Sequence, residues 1–434
     1  MSWEDIYQSR LLTLSDAAGK IKSGDRVLFG HAIGEPTAII DTMVANKDQY
    51  ENVEIVHMVF MGKGAYCQPG MERHFRHNSL FVGVPGRKAI MEGRGDFTPC
   101  YFSLIPSLFS EGYLPVDVFM MQVSPPDKHG YVSLGVSVDY AVSAVQNAKL
   151  VVAQVNRFMP RTHGQSFVHV SDIDWFVEHD AALIELPSPQ ITDVERQIGK
   201  NCAALIKDGD TIQLGIGSLP DAVLLFLEDK KDLGIHSEMI SDGVLKLIEK
   251  GVITNKRKTL HPGKLIVTFL MGSERFYSFA DDNPMFQMMP VDYTNDVDVI
   301  AANDNMVAIN SCVQVDLTGQ VASESIGLMQ ISSVGGQVDF VRGANKSKGG
   351  RSIIAMTSTA SGGKISKIVP LLDQGTAVTT NRNDVRYIVT EYGIADLFGK
   401  TLRERARQLI NVAHPDFRDG LVAEWERRFC TRFN

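Results

Sequence analysis

Two stretches of this chain match one another. IKSGDRVLFGHAIGEPTAII, residues 21–40, aligns with IKDGDTIQLGIGSLPDAVLL, residues 206–225, when one residue is allowed to be missing from the second, so that Gly30 meets Gly215. NVEIVHMVFMG aligns with LGIHSEMISDG, Gly62 meeting Gly243, and SPPDKHGYVSLG with CVQVDLTGQVAS, Gly130 meeting Gly319. Three matches in the same order indicate two copies of one domain. Each copy starts with a helix, a K-x-G-D turn and an apolar strand, and a glycine-rich corner then leads into another helix. Short apolar strands such as RVLFG, VEIVHMV, VDVFMMQV and LVVAQV alternate with helical stretches, the pattern of a mostly parallel α/β sheet. Pro187 and Pro189 interrupt ELPSPQITDVERQIG, which sets the boundary there. The expected domains are 1–187 and 190–434.

A length of 434 residues agrees with more than one core. The net charge of −8 leaves no basic stripe for nucleic acid and speaks against anionic membranes. Cys67, Cys100, Cys202, Cys312 and Cys430 are odd in number and scattered, without the spacing of a zinc site or a disulfide framework. A reducing cytoplasm is therefore expected. MSWEDIYQSR has no apolar signal core, and no apolar run approaches the roughly 20 residues that span a bilayer.

LGIHSEMISDGVLKLIEKGVI, residues 233–253, carries the chemistry of the second copy. A strand through Leu233 and Ile235 leads to His236, Ser237 and Glu238, and after Gly243 the apolar residues return at helical spacing. This puts Glu238 on a strand-to-helix corner at the carboxyl end of a strand, where open α/β sheets hold ligands. The plainer reading is a carboxylate that caps the next helix or pairs with Lys250.

Other candidates are weaker one by one. QLGIGSLPDAV sets Gly215 and Gly217 before Pro220, so that backbone amides can approach a phosphate or an oxyanion. The third glycine of a dinucleotide fingerprint is missing. SVGGQVDFVRGA adds Gly335, Gly336 and the amide of Gln337, and SGGKISKIVPLL adds Lys364 and Lys367. In the first copy, GHAIGEP brings His31 and Glu35 to a corner where amides can meet an anion. Arg94 and Asp96 either line a pocket or sit on a surface loop, and Asp127, Lys128 and His129 read as turn residues.

Taken together, IHSEMISDG, GIGSLPDAV, VGGQVDFVRGA, KISKIVP and EYGIADL with TLRERARQLI and AHPDF resemble the acetyl-CoA hydrolase/transferase family of CoA-transferases. The resemblance runs from the first helix to the end of the chain. It implies two duplicated ribose-5-phosphate isomerase-like domains with mostly parallel sheets, the second carrying the catalytic glutamate. That glutamate belongs to the H-S-E-M motif and is here Glu238. The resemblance further implies CoA contacts at Gln213, Leu214, Gly215, Ile216, Gly217, Asn310, Gly335, Gly336, Gln337 and Lys364. CoA and acyl-CoA would be substrates, with no tightly bound cofactor and no metal, and the usual assembly is a homodimer.

The implied reaction is ping-pong CoA transfer between acetyl-CoA and a short carboxylate through a glutamyl-CoA thioester. Oxyanion donors would come from the 215–217 turn and from Gly335, Gly336 and Gln337. For the acyl end, GHAIGEP and MVFMGKGAY offer His31, Glu35, Met58, Phe60 and Met61, with Lys63 as the only cation. Burying a second carboxylate without a partner is costly, so 4-hydroxybutyrate and butyrate are expected ahead of succinate. Acetyl-CoA hydrolysis, a sugar-phosphate isomerase-like activity and a CoA-binding module without catalysis are the competing readings.

Overall fold

A computed structural model describes residues 2–433. The chain forms two compact units, Met1–Pro187 with Ile266–Thr294, and Ser188–Leu265 with Asn295–Asn434. A second domain running unbroken over 190–434 is thus corrected, because residues 266–294 belong with the first unit. Backbone hydrogen bonds are the reason: Val138 N–H donates to Thr268 O at 3.0 Å, Leu270 N–H to Val136 O at 2.8 Å, and Leu186 N–H to Gly272 O at 3.0 Å.

The first unit is built on strands β1 (Arg26–Phe29), β2 (Val53–His57), β3 (Phe75–Ser79), β4 (Gly95–Phe97), β5 (Val118–Val123), β6 (Leu150–Val155) and β7 (Trp175–Glu178). They form one sheet in the order β4-β3-β2-β1-β5-β6-β7, parallel throughout. All six residues of β5 are buried, as expected of a parallel strand covered on both faces. Val27, Phe29, Ile39, Ile55, Val118, Met120 and Val152 belong to one core cluster of this unit.

The second unit uses β8 (Thr211–Leu214), β9 (Gly234–Ile235), β10 (Met306–Ser311), β11 (Arg351–Ala355), β12 (Tyr387–Thr390) and β13 (Gly393–Asp396). Their order is β9-β8-β10-β11-β12-β13, and only the β12–β13 pair is antiparallel. Val315, Val341, Ile354, Ile388, Leu409 and Trp425 pack in a core of this unit.

The duplication read from the sequence is present in the topology. The run β2-β1-β5-β6-β7 recurs as β9-β8-β10-β11-β12. Its turns recur as well. Lys22 N–H donates to Asp25 Oδ2 at 2.7 Å in the first K-x-G-D turn, and Lys207 N–H to Asp210 Oδ2 at 2.6 Å in the second. Asp127 Oδ1 accepts the N–H groups of His129 and Tyr131, and Asp316 Oδ1 those of Thr318 and Gln320. Each of these turns closes through a glycine in the left-handed region, Gly130 at φ 82° and Gly319 at φ 91°, which favours glycine.

No disulfide joins any of the five cysteines among the described residues. Among the described residues, no helix is long and apolar enough to cross a membrane.

Candidate active site

Glu238 lies on a bend of the second unit. After β9 ends at Ile235 the chain passes through His236, Ser237 and Glu238, then through the short strand Met239–Ile240, before the helix Asp242–Glu249 begins. The glutamate therefore precedes the expected strand-to-helix corner by a few residues. His236 and Ser237 are fully buried and Glu238 is half-buried, so this one carboxylate emerges from an otherwise sealed turn. The turn is fixed by His236 N–H donating to Ile212 O at 3.3 Å. It is also held by the Ser237 hydroxyl, which lies 2.7 Å from Met239 O and 3.1 Å from Leu214 O.

Neither plain role suggested for Glu238 is found. The helix Asp242–Glu249 starts at Ser241 without a side-chain cap, and Lys250 pairs with Glu228. Instead the Asn295 side-chain amide donates to Glu238 Oε2 at 2.9 Å. Asn295 Oδ1 is buried and has no partner among the described residues. Gly336 packs against the same carboxylate so closely that a Cβ there would overlap Glu238 Oε2 and Asn295 Nδ2. Gly336 is the N-cap of the helix Gln337–Lys346, and the preceding Gly335 has φ 54°. A ten-residue helix thus starts at the carboxylate, and helix starts leave N–H groups free of intrahelical partners.

The expected CoA contacts separate into several groups. Gln213 is buried on β8, with its Oε1 accepting Ile309 N–H at 3.1 Å and Asn310 Nδ2 at 3.2 Å. The two amides are thus brought together at adjoining strand ends. Leu214 is buried, its N–H donating to Ser237 Oγ at 3.4 Å, whereas Ile216 is 40% exposed. Gly217 has open space where a side chain would project. Gln337 departs from expectation, because its backbone N–H goes to Val334 O and its side-chain amide to Ser323 Oγ and Thr380 Oγ1. Its donors are turned inward to hold the helix start, so they are not presented to an oxyanion. Lys364 is exposed on the turn between the paired strands Thr359–Ala360 and Ile365–Ser366, and no described contact brings it to Glu238. Lys367 is half-buried, and desolvation lowers its pKa.

In the first unit, Glu35, Phe60 and Met61 line one cavity of about 470 Å³ together with Ile40, Lys63 and Tyr66. His31 and Met58 are buried but do not line it. The His31 ring instead stands 3.2 Å from Asp139 Oδ2 through Nδ1, edge-on to Phe102 and Phe269. Glu35 is 3% exposed, and its Oε2 accepts Met61 N–H at 3.2 Å. Burial raises its pKa to about 8, although the Met61 and Gly62 N–H groups oppose that shift. Arg94 donates to Cys67 O and to Glu92, and Asp96 pairs with Arg76, so neither enters the cavity.

Asn295 is the site residue that sequence reasoning missed. It lies 57 positions from Glu238, directly after the segment that belongs to the first unit, and no motif marks it. Among the described residues no group of three His, Cys, Asp or Glu side chains is arranged to hold a metal.

Comparison with known proteins gives a consistent result. The model of the acetyl-CoA hydrolase/transferase N-terminal domain matches residues 1–186, and that of the C-terminal domain residues 272–425. The 4-hydroxybutyrate coenzyme A transferase of Clostridium kluyveri is 62% identical over 429 residues, 99% of this chain and 100% of that one. The succinyl-CoA:cyclohexane-1-carboxylate CoA transferase of Geobacter metallireducens is 44% identical over 98% of this chain and 97% of that one. The crystal structure of a 4-hydroxybutyrate CoA-transferase from Porphyromonas gingivalis matches with a TM-score of 0.86 at 43% identity, covering 99% and 100% of the two chains.

Proposed function

Because the chain belongs to the acetyl-CoA hydrolase/transferase family, we propose that it moves CoA between acetyl-CoA and a short carboxylate, 4-hydroxybutyrate or butyrate, with Glu238 as the nucleophile. The observation that carries this reading is the setting of Glu238: a half-exposed carboxylate on a buried turn, oriented by Asn295 and set against the glycine start of a helix.

In the proposed reaction a Glu238 oxygen attacks the thioester carbonyl, the C–S bond breaks and CoA leaves as thiolate, giving an acyl-glutamyl anhydride. The thiolate then attacks the glutamyl carbonyl, and the anhydride C–O bond breaks to release the first carboxylate. The enzyme now holds CoA as a glutamyl thioester. An acceptor carboxylate reverses these steps and leaves as its CoA ester, so the thioester bond is conserved. Each tetrahedral intermediate carries an oxyanion, for which the amides of Gly335 and Gly336 and the 215–217 turn are the proposed donors. CoA is the substrate, no tightly bound cofactor or metal takes part, and the working form is a cytoplasmic homodimer.

The preference for a C4 acid rests on the relative named for 4-hydroxybutyrate. The test of the nucleophile is trapping. Incubation with acetyl-CoA followed by borohydride or hydroxylamine is expected to modify one carboxylate, mapped by peptide mass to Glu238. Modification elsewhere overturns the assignment.

A further inference from the structure

The turn Gly215–Gly217 follows β8 and adjoins the bend that carries Glu238, since Leu214 N–H donates to Ser237 Oγ at 3.4 Å. Little packs on the turn itself. Ile216 and Gly217 are exposed, a Cβ on Gly217 would meet nothing within 4 Å, and one on Gly215 would meet only Pro220, at 4.0 Å. The helix Ser218–Leu224 that follows starts at Gly217 without a side-chain cap. A turn built on two glycines, with Gly217 at φ 106°, has wide backbone freedom, whereas oxyanion donors act only when they are held in place. The fixed point is Ser218, whose hydroxyl donates to Glu195 Oε1.

Glu195 reaches Ser218 from the helix Asp193–Ala203, which is itself braced. Thr192 N–H and Oγ1 both donate to Glu195 Oε2 at 2.8 Å, and Glu195 N–H donates to Thr192 Oγ1 at 3.3 Å, a capping box. Gly199 lets this helix lie directly on the helix Ser218–Leu224, because a Cβ there would overlap the Ala222 carbonyl. Asn201 Nδ2 donates at 2.9 Å to the carbonyl of Thr390, the last residue of β12. Burial raises the Glu195 pKa, but the hydrogen bonds from Ser218 and Thr192 outweigh it and lower the value. A charged carboxylate therefore receives the Ser218 hydroxyl, and such bonds are roughly twice as strong as neutral ones. The helix cap accounts for Oε2 alone, and Oε1 is directed to the turn.

We infer that Glu195 is a positioning residue of the transfer reaction: through Ser218 its carboxylate ties the Gly215–Gly217 turn to a braced helix and so fixes the turn amides for the oxyanion formed at Glu238. This rests on the transferase reading above and adds to it a residue that acts through another.

The experiment measures kcat and KM for acetyl-CoA, with the short carboxylate that wild type accepts best, together with Tm, in wild type, Ser218→Ala, Ser218→Thr, Glu195→Ala and the double variant. Ser218→Ala removes the clamp and leaves the capping box intact. It is expected to melt with wild type while kcat falls about 10- to 100-fold and KM changes by less than about threefold. Ser218→Thr keeps the hydroxyl and is expected to retain kcat within about threefold. Adding Glu195→Ala to Ser218→Ala is expected to lower kcat no further, since both break the same bond. If Glu195→Ala fails to fold, the two Ser218 variants decide alone. Wild-type kcat in Ser218→Ala, a rise in KM in place of the fall in kcat, or equal losses in the alanine and threonine variants overturns the inference. Absence of transfer to any short carboxylate by wild-type enzyme overturns the transferase reading and this inference with it, whereas a fully active Ser218→Ala beside an active wild type overturns the inference alone.

Discussion

Gly336 stands directly against Glu238: a single methyl group on the glycine would occupy the space of carboxylate oxygen Oε2. The Gly336 backbone is ordinary, at φ −96°, so alanine introduces no backbone strain there. What must move is the end of a flexible side chain. Gly336→Ala is therefore expected to fold normally, with a Tm near that of wild type, while the displaced carboxylate loses at least about 100-fold in kcat, the scale of a nucleophile moved from its aligned position. Circular dichroism melting and steady-state rates check both halves, and full activity in the variant would show that the Gly336 contact does not position Glu238 for reaction.

The Asn295 side-chain amide donates to Glu238 Oε2 at 2.9 Å. Removing this bond in Asn295→Ala loosens the orientation of the Glu238 carboxylate and is expected to lower kcat by about 10- to 100-fold with a small change in KM for acetyl-CoA. Asn295→Asp, of nearly the same shape, sets a second negative charge against Glu238 and is expected to be the slower of the two. A matched fall in both variants would mean that the amide only packs.

Glu35 also makes stability depend on pH. Its folded pKa of about 8 lies above the value of 4.5 it would have when unfolded. Between those values the folded state holds a proton that the unfolded state lacks, so stability falls as pH rises from 4.5 to 8 and is level above. The full effect is on the order of 5 kcal/mol. Glu35→Gln lacks this dependence. In urea titrations the stability of wild type minus that of the variant should decline across that window, and a constant difference would mean that the buried carboxyl is ionised. The groups facing it, Asp41, Lys63, His57 and Tyr66, are common to both proteins and cancel.

Lys258 gives the opposite sign. Its ammonium group lies 2.7 Å from Ile235 O and 2.8 Å from Lys264 O, tying down the strand that leads to Glu238. Burial lowers its pKa from 10.5 to about 7. Here the unfolded state holds the extra proton between pH 7 and 10.5, so stability rises with pH through that window and is lost as pH falls through 7. Lys258→Met removes the gain along with both hydrogen bonds. Denaturant unfolding at pH 6.5 and 9.5 should show wild type gaining on the variant at the higher pH, and a pH-independent gap would count against a neutral lysine.

The features that sequence reasoning located share one property: their determinants lie within a few residues. The Asp127–Gly130 and Asp316–Gly319 turns close on their own backbone N–H groups, and the K-x-G-D turns on Asp25 and Asp210 do the same. Repeated local chemistry of this kind made the duplication legible, and with it the mostly parallel sheets. Glu238 could be singled out because the apolar strand before it and the helical spacing after it are both contiguous with it.

Residues that depend on distant chain segments were not legible in that way. Asn295 reaches Glu238 from 57 positions away, and residues 266–294 join the first unit through hydrogen bonds to residues 136, 138 and 186. Gln337 looked like a donor in a glycine-rich motif, but Ser323 and Thr380 claim its amide. His31 and Glu35 share one motif, yet packing turns His31 toward Asp139 and leaves Glu35 on the cavity wall. Turn chemistry and hydrophobic period are properties of neighbouring residues and survive in the linear order of the chain. Burial, the partner of a polar group and the pKa that follows depend on which remote segments meet, and those became fixed only when the chain closed on itself.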